Sequence, residues 1–213
     1  MTSRDRRGGR GDRRRRRAKP KRRLPVEVLS GEEVMRLLGA VKGPPATAAR
    51  NRAIIALAYR SGLRISEVLA VCPKDVDAAN GSIRVLNGKG GRSRTVGVDP
   101  GALAVLREWG AYRASYPVGD AHALFCTRSG QRVTTAYIRR LLPHLAGLAG
   151  IAKRVHAHGL RHTHAAELRA EGVDIGIISK QLGHVSIATT IRYLDHIAPR
   201  AVVEAVAGRK WSA

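Results

Sequence analysis

The chain has 213 residues and carries 39 Lys and Arg against 16 Asp and Glu, a formal charge of +23. That length suits one domain or two small ones, and the charge favours a polyanionic partner. Cys72 and Cys126 are too few and too far apart for a disulfide framework, no apolar run approaches the roughly 20 residues of a membrane span, and the Arg-rich start lacks the apolar stretch of a secretory signal.

Residues 1–23 hold 13 Lys and Arg and almost nothing apolar. Such a segment cannot bury enough surface to offset its ordering entropy, so a disordered tail is expected. Its densest run is Arg13, Arg14, Arg15, Arg16 and Arg17. That run suits the backbone of a nucleic acid, although a tail with no specific role has the same composition. Order is expected from Leu24 to the end of the chain, residues 24–213.

Ser30 with Glu33 three residues on reads as a capping box, and Val34, Leu37, Leu38 and Val41 follow as a helical apolar face. Pro44-Pro45 breaks that helix. Ala48 to Tyr59 predicts a buried helix, closed by Gly62 as a C-terminal turn. Ser66 then starts a short helix through Leu69, with Arg64 on the turn ahead of it. Ser82 to Leu86 and Arg94 to Val98 read as strands around the turn residues Asn87-Gly88-Lys89-Gly90-Gly91. A third short strand is predicted at Ala123 to Cys126. Helices are expected at Pro100 to Arg113, Thr134 to Ala149, Gly159 to Ala170 with His158 at its start, Ile175 to Leu182 ended by Gly183, and Ser186 to Leu194. A final segment spans Arg200 to Ala207. The fold class is therefore α+β, mainly α, a helical domain with a small antiparallel three-stranded sheet.

Five side chains in three stretches carry the chemistry: Arg64 in GLRISEVL, His158 and Arg161 in HGLRHTHA, and His184 and Tyr193 in LGHVSIATTIRYL. Two arginines can hold one phosphate through paired N–H donors. Two histidines can move protons near neutral pH, and a tyrosine oxygen can attack phosphorus. His158 and Arg161 stand i, i+3, on one face of a helix. Plainer readings exist for each residue: Arg64 as a surface ion pair with Glu67, His158 as a helix cap, Tyr193 half-buried in a C-terminal helix. His156, His158, His162 and His164 crowd together, but with no glutamate base, no adjacent third ligand and a cationic Arg161 between them they argue against zinc.

The ordered set resembles the catalytic domain of the tyrosine site-specific recombinases, the phage integrase family. The resemblance runs from about Leu24 to Ile197 and is strongest at SGLRISEVL, NGKGGRSRTV, HGLRHTHA and QLGHVSIATTIRYL. It implies Arg64, Lys89, His158, Arg161, His184 and Tyr193 as catalytic residues, with Glu67 as the acidic residue behind the first arginine. It further implies that Arg64 and Arg161 neutralise phosphate oxygens, His158 assists deprotonation of Tyr193, His184 hydrogen-bonds a phosphate oxygen, and Lys89 protonates the departing 5′-hydroxyl. Gly-Lys-Gly is also an ordinary hairpin turn, and Arg92 or Arg94 could contact phosphate instead. The implied function is a site-specific recombinase or integrase that cleaves and rejoins DNA through a 3′-phosphotyrosyl link, without cofactor or metal. The implied partner is double-stranded DNA, held by a homotetramer on two duplexes and away from any membrane, in the cytoplasm at the nucleoid. The segment Arg200 to Ala207 either passes to a neighbouring subunit or packs on its own domain. Only residues 1–23 precede the matching region, so the separate N-terminal core-binding domain of most members is expected to be absent. A DNA-binding fragment without recombination activity and a topoisomerase-like relaxer are the competing functions.

Overall fold

A computed structural model of the chain describes residues 27–86, 93–198, 203, 206 and 207. Eight helices and three strands are found among them: α1 Gly31–Gly39, α2 Pro45–Arg60, α3 Ile65–Ala70, β1 Val76–Asp77, β2 Ser82–Val85, β3 Arg94–Gly97, α4 Pro100–Arg113, α5 Thr135–Leu148, α6 Ala157–Ala170, α7 Ile175–Leu182 and α8 Ile187–Ile197. The mainly helical class with a small antiparallel sheet is as expected.

Local chemistry accounts for most helix ends. Ser30 and Glu33 form the capping box of α1, each side chain taking the other's backbone N–H at 3.2 and 2.7 Å. Pro45 opens α2 at a position whose N–H has no helical partner in any case. Asp99, Thr134 and Asp174 cap α4, α5 and α7 through side-chain oxygens. Ser186 precedes α8 as expected, without a capping bond from its hydroxyl.

The Ala-rich α2 is the axis of the core. Ile54, Ile55 and Leu57 are wholly buried, and Trp109 of α4, Phe125, Ile138 and Leu142 of α5, and Leu160 of α6 are buried in the same cluster. Small alanines on α2 let α4 and α6 approach closely. The sheet runs β1-β2-β3, antiparallel throughout, with Ile83 opposite both Val76 and Val96. Ile83, Val85 and Val96 point into the core, the period-2 burial of a one-sided sheet. A second apolar cluster, Ala165, Ile178, Leu182, Leu194 and Ile197, ties α6, α7 and α8 together. The C-terminal helices therefore form a layer that holds the two ends of the site in register.

Three expectations need correction. The third strand is Val76–Asp77, whereas Ala123 to Cys126 contributes only an isolated bridge from Cys126 to Arg132. The apolar run there enters the core as a loop, with Leu124 N–H donating to the Val71 carbonyl. Helix α3 starts at Ile65 with Arg64 as its cap residue, because Glu67 reaches back to the Arg64 N–H and makes Ser66 unnecessary as a cap. Helix α6 is capped by His156, whose Nδ1 accepts from Gly159 N–H at 3.1 Å, so His158 lies inside the first turn. Part of the positive charge is also structural. Arg50 and Arg113 are buried and donate to the carbonyls of Cys126 and Gly119.

Candidate active site

The site begins where α2 ends. Gly62 has φ +62°, and a Cβ there would lie 2.5 Å from His164 Cδ2, so only glycine lets the chain turn against α6. The turn delivers Arg64 to the start of α3. Its backbone N–H and Nη1 both donate to the Glu67 carboxylate, at 2.9 and 3.0 Å. The Glu67 side chain is only 5% exposed, whereas that of Arg64 is 31% exposed. The pair is therefore no surface ion pair. A buried carboxylate holds the stem of an arginine whose remaining donors face outward.

Arg94, at the start of β3, forks onto the same carboxylate with Nη1 and Nη2 at 3.0 and 2.9 Å. Burial pushes the Glu67 pKa up, but the Arg94 bonds, the Arg64 N–H and both charges outweigh it, so Glu67 stays an anion below its usual range. Arg94 thus faces inward, with both terminal nitrogens on Glu67, rather than presenting a free phosphate contact. Lys89 and Arg92, between β2 and β3 in sequence, and Arg13 to Arg17 lie outside the described residues.

Arg161 on α6 is the buried centre, 1% exposed. Its Nη1 donates to the Gly62 carbonyl at 2.6 Å and its Nη2 to the Leu182 carbonyl at 2.7 Å. One guanidinium therefore joins the α2–α3 turn to the end of α7. Burial lowers its pKa to about 10, which leaves it cationic at neutral pH. Nη2 also lies 3.2 Å from His184 Nε2, and His184 Nδ1 lies 2.9 Å from Thr190 Oγ1. A guanidinium only donates, so Nε2 accepts, the ring proton sits on Nδ1, and Thr190 receives it. Burial, then Arg161 and Arg64, hold the His184 pKa down at about 4.

Tyr193 on α8 stands in a cage of imidazoles. Its ring stacks on His162 at 5.0 Å and 28°, with His184 edge-on at 5.3 Å and His158 at 6.4 Å. Its hydroxyl is buried beside the Arg161 guanidinium but makes no hydrogen bond of good geometry among the described residues. Burial raises its pKa to about 12, against the pull of Arg161 and Arg64. His158 is exposed at the rim, and burial of its inner face followed by Arg161 lowers its pKa. It is neutral at pH 7 and able to accept a proton.

The four crowded histidines separate by role. His156 caps α6, His158 opens to solvent, His162 lies under Tyr193, and His164 packs on Gly62. Among the described residues no three His, Cys, Asp or Glu side chains group as a metal site. Burial pushes His162 to about 3 and His164 to about 4, with cationic neighbours adding to the shift. The unfolded chain takes up these protons near pH 6.5, whereas the folded chain resists until pH 3–4. Stability is therefore intact above pH 6.5 and lost as pH falls. The slope is about 1.4 kcal/mol per pH unit for each such histidine. Thermal unfolding at pH 7.5 and 5.0 checks this: the midpoint should drop at pH 5.0, and less so in His164→Gln. Equal midpoints would contradict it.

The structure thus brings Arg64, His158, Arg161, His184 and Tyr193 to one place, from the α2–α3 turn, α6, the α7–α8 turn and α8. A sequence profile of the phage integrase family matches residues 27–199. The chain belongs to the phage integrase family. It is 34% identical over 191 residues to tyrosine recombinase XerC of Thermodesulfovibrio yellowstonii, covering 87% of this chain and 62% of that protein. Among solved structures, XerA recombinase superposes with a TM-score of 0.75 at 30% identity, over 89% of this chain and 68% of the other. XerH bound to a palindromic difH substrate after cleavage superposes with a TM-score of 0.72 at 30% identity, over 87% and 54%. The fold is that of a tyrosine recombinase catalytic domain. The chain spans about half to six-tenths of the length of the curated relatives it matches.

Three side chains of this phage integrase family member escape a reading by motif. His162 is legible only as one of a histidine run, yet it carries the Tyr193 ring. Thr190, in Ala188-Thr189-Thr190, orients His184. Gln181 donates to the Ser61 and Gly97 carbonyls and accepts from the Gly97 N–H, stitching α7 to β3. Each acts through tertiary neighbours, which spacing does not reveal.

Proposed function

We propose that this chain is the catalytic unit of a site-specific recombinase that breaks and rejoins double-stranded DNA through Tyr193. The observation that carries the reading is the Tyr193 hydroxyl: buried, without a hydrogen bond of good geometry among the described residues, and close enough to Arg161 and Arg64 for both to act on its charge. A phenol with a pKa near 12 is a poor nucleophile until a base and cations assist it.

In the proposed reaction Arg64 and Arg161 bind the non-bridging oxygens of the scissile phosphate and offset the charge that builds there. His158, neutral and at the rim, takes the Tyr193 proton as the phenolic oxygen attacks phosphorus. The new P–O bond joins Tyr193 to the 3′-phosphate, and the bond to the 5′-oxygen breaks. Lys89 gives that oxygen its proton. A phosphate oxygen that engages the Arg161 N–H releases His184 Nε2. Thr190 can donate as well as accept, so the His184 proton can move to Nε2 and reach the phosphate. Attack by another 5′-hydroxyl reverses the steps and seals the strand without an external energy source.

The proposal includes a basic tail over residues 1–23 that tracks DNA, a catalytic unit from residue 24, a homotetramer on two duplexes, and action at the nucleoid. XerH was solved on its difH substrate, and the shared fold supports the same class of partner here. The test is a duplex nicked beside the cleavage site, incubated with the chain in EDTA. A denaturant-resistant protein–DNA adduct and a joined product on an acceptor duplex are expected. Specific binding with no adduct would overturn the reading in favour of a DNA-binding fragment. Plasmid relaxation with no recombinant product would favour a relaxer.

A further inference from the structure

Glu67 sets a problem for the phosphate corner. An anion that holds Arg64 through both backbone and side chain would, taken alone, cancel the positive charge that a phosphate needs. Arg94 solves it. Both its terminal nitrogens are spent on Glu67, and its side chain is only 15% exposed, half the exposure of Arg64. Of the two arginines, Arg94 is therefore the inner partner and Arg64 the outer one.

The surroundings fit Arg94 closely. Gly183 ends α7 with φ +65°, and a Cβ there would lie 2.7 Å from Arg94 Cζ and Nε. The left-handed glycine that turns the chain toward His184 thus also makes room for the guanidinium. Gln181, two residues earlier, binds both backbone groups of Gly97 on the same strand. Arg94 is gripped between α3 and α7, the two elements that deliver Arg64 and His184.

We propose that Arg94 is a positioning residue for the phosphate-binding corner: its charge cancels that of Glu67, so that Arg64 keeps a net positive charge for the scissile phosphate. This rests on the function proposed above. Without Arg94, Glu67 and Arg64 close into a neutral pair, and an anion faces the incoming phosphate. A residue that only staples β3 to α3 would behave differently, because removing its carboxylate partner as well would not repair the staple.

The test is a cycle of R94Q, E67Q, the double variant E67Q/R94Q and the conservative R94K, with folding checked by thermal unfolding. Single-turnover adduct formation on the nicked duplex and affinity for the intact duplex are both read. R94Q should slow cleavage about 10- to 100-fold, as expected for one uncompensated charge near the reacting group. The double variant should be faster than R94Q, and R94K, which keeps the charge but loses the fork, should lie near wild type. A double variant no faster than R94Q, or R94K as slow as R94Q, overturns the proposal. Should R94Q fail to fold, R94K against E67Q/R94Q makes the same comparison. If wild type binds DNA but forms no adduct, the proposed function falls while the affinities still judge Arg94: R94Q weaker than the double variant supports it, and equal affinities refute it.

Discussion

Arg161→Ala is expected to cost both fold and chemistry. The guanidinium is the only group that gives hydrogen bonds at once to the Gly62 and Leu182 carbonyls among the described contacts, at 2.6 and 2.7 Å. Alanine leaves both acceptors buried and unpaired and opens a cavity at the join of α2, α6 and α7. Truncations of this kind cost about 3–5 kcal/mol. His184 also loses the donor that fixes its ring. Cleavage by whatever fraction remains folded should fall about 10²- to 10³-fold, as for a lost transition-state donor. Arg161→Lys keeps a charge but cannot span both carbonyls, so it should recover part of the stability and little of the rate. Denaturant unfolding and single-turnover cleavage at a temperature where each variant is folded separate the two losses. An alanine variant with wild-type stability would refute the bridging role.

Tyr193→Phe should show the opposite pattern. The phenylalanine keeps the ring that stacks on His162 and meets His184 edge-on. It removes only a buried hydroxyl without a hydrogen bond of good geometry among the described residues. An unsatisfied buried polar group costs about 1–3 kcal/mol, so the variant should be as stable as wild type or more so. Its adduct should vanish, a loss of at least about 10⁴-fold, the scale seen when a nucleophile is removed. DNA affinity should hold. A marked fall in stability would mean that the hydroxyl has a structural bond in solution.

The difference between these two residues marks how far the sequence could be read. Arg161 and Tyr193 both stand out by residue type and order, and the helices that carry them are legible from their residue pattern, with Ser186 marking the start of the second. Spacing says nothing, however, of what each side chain touches. Arg161 is as much a strut between two turns as a phosphate ligand, because its N–H groups satisfy carbonyls 99 and 21 residues away in sequence. Arg94 reads as the first residue of a strand and a candidate phosphate contact, and only the fold turns it inward onto Glu67. Phe125 and its neighbours have the β-rich composition of a strand, yet among the described residues they pair only through the single bridge of Cys126 to Arg132, so tertiary context overrides propensity. His156 takes the capping role that looked open to His158, since the cap depends on which residue precedes the first turn. Arg200 to Ala207 falls mostly outside the described residues; Val203 and Val206 are exposed.

The central claim is that Tyr193, among five tyrosines in the chain, carries the broken strand. Trypsin cuts after Arg192 and Arg200, so Tyr193 lies in the peptide YLDHIAPR. The adduct formed on a nicked duplex, digested by nuclease and trypsin and sequenced by tandem mass spectrometry, should show a nucleotide 3′-phosphate on Tyr193. The same mass on Tyr59, Tyr112, Tyr116, Tyr137 or a serine would contradict the account.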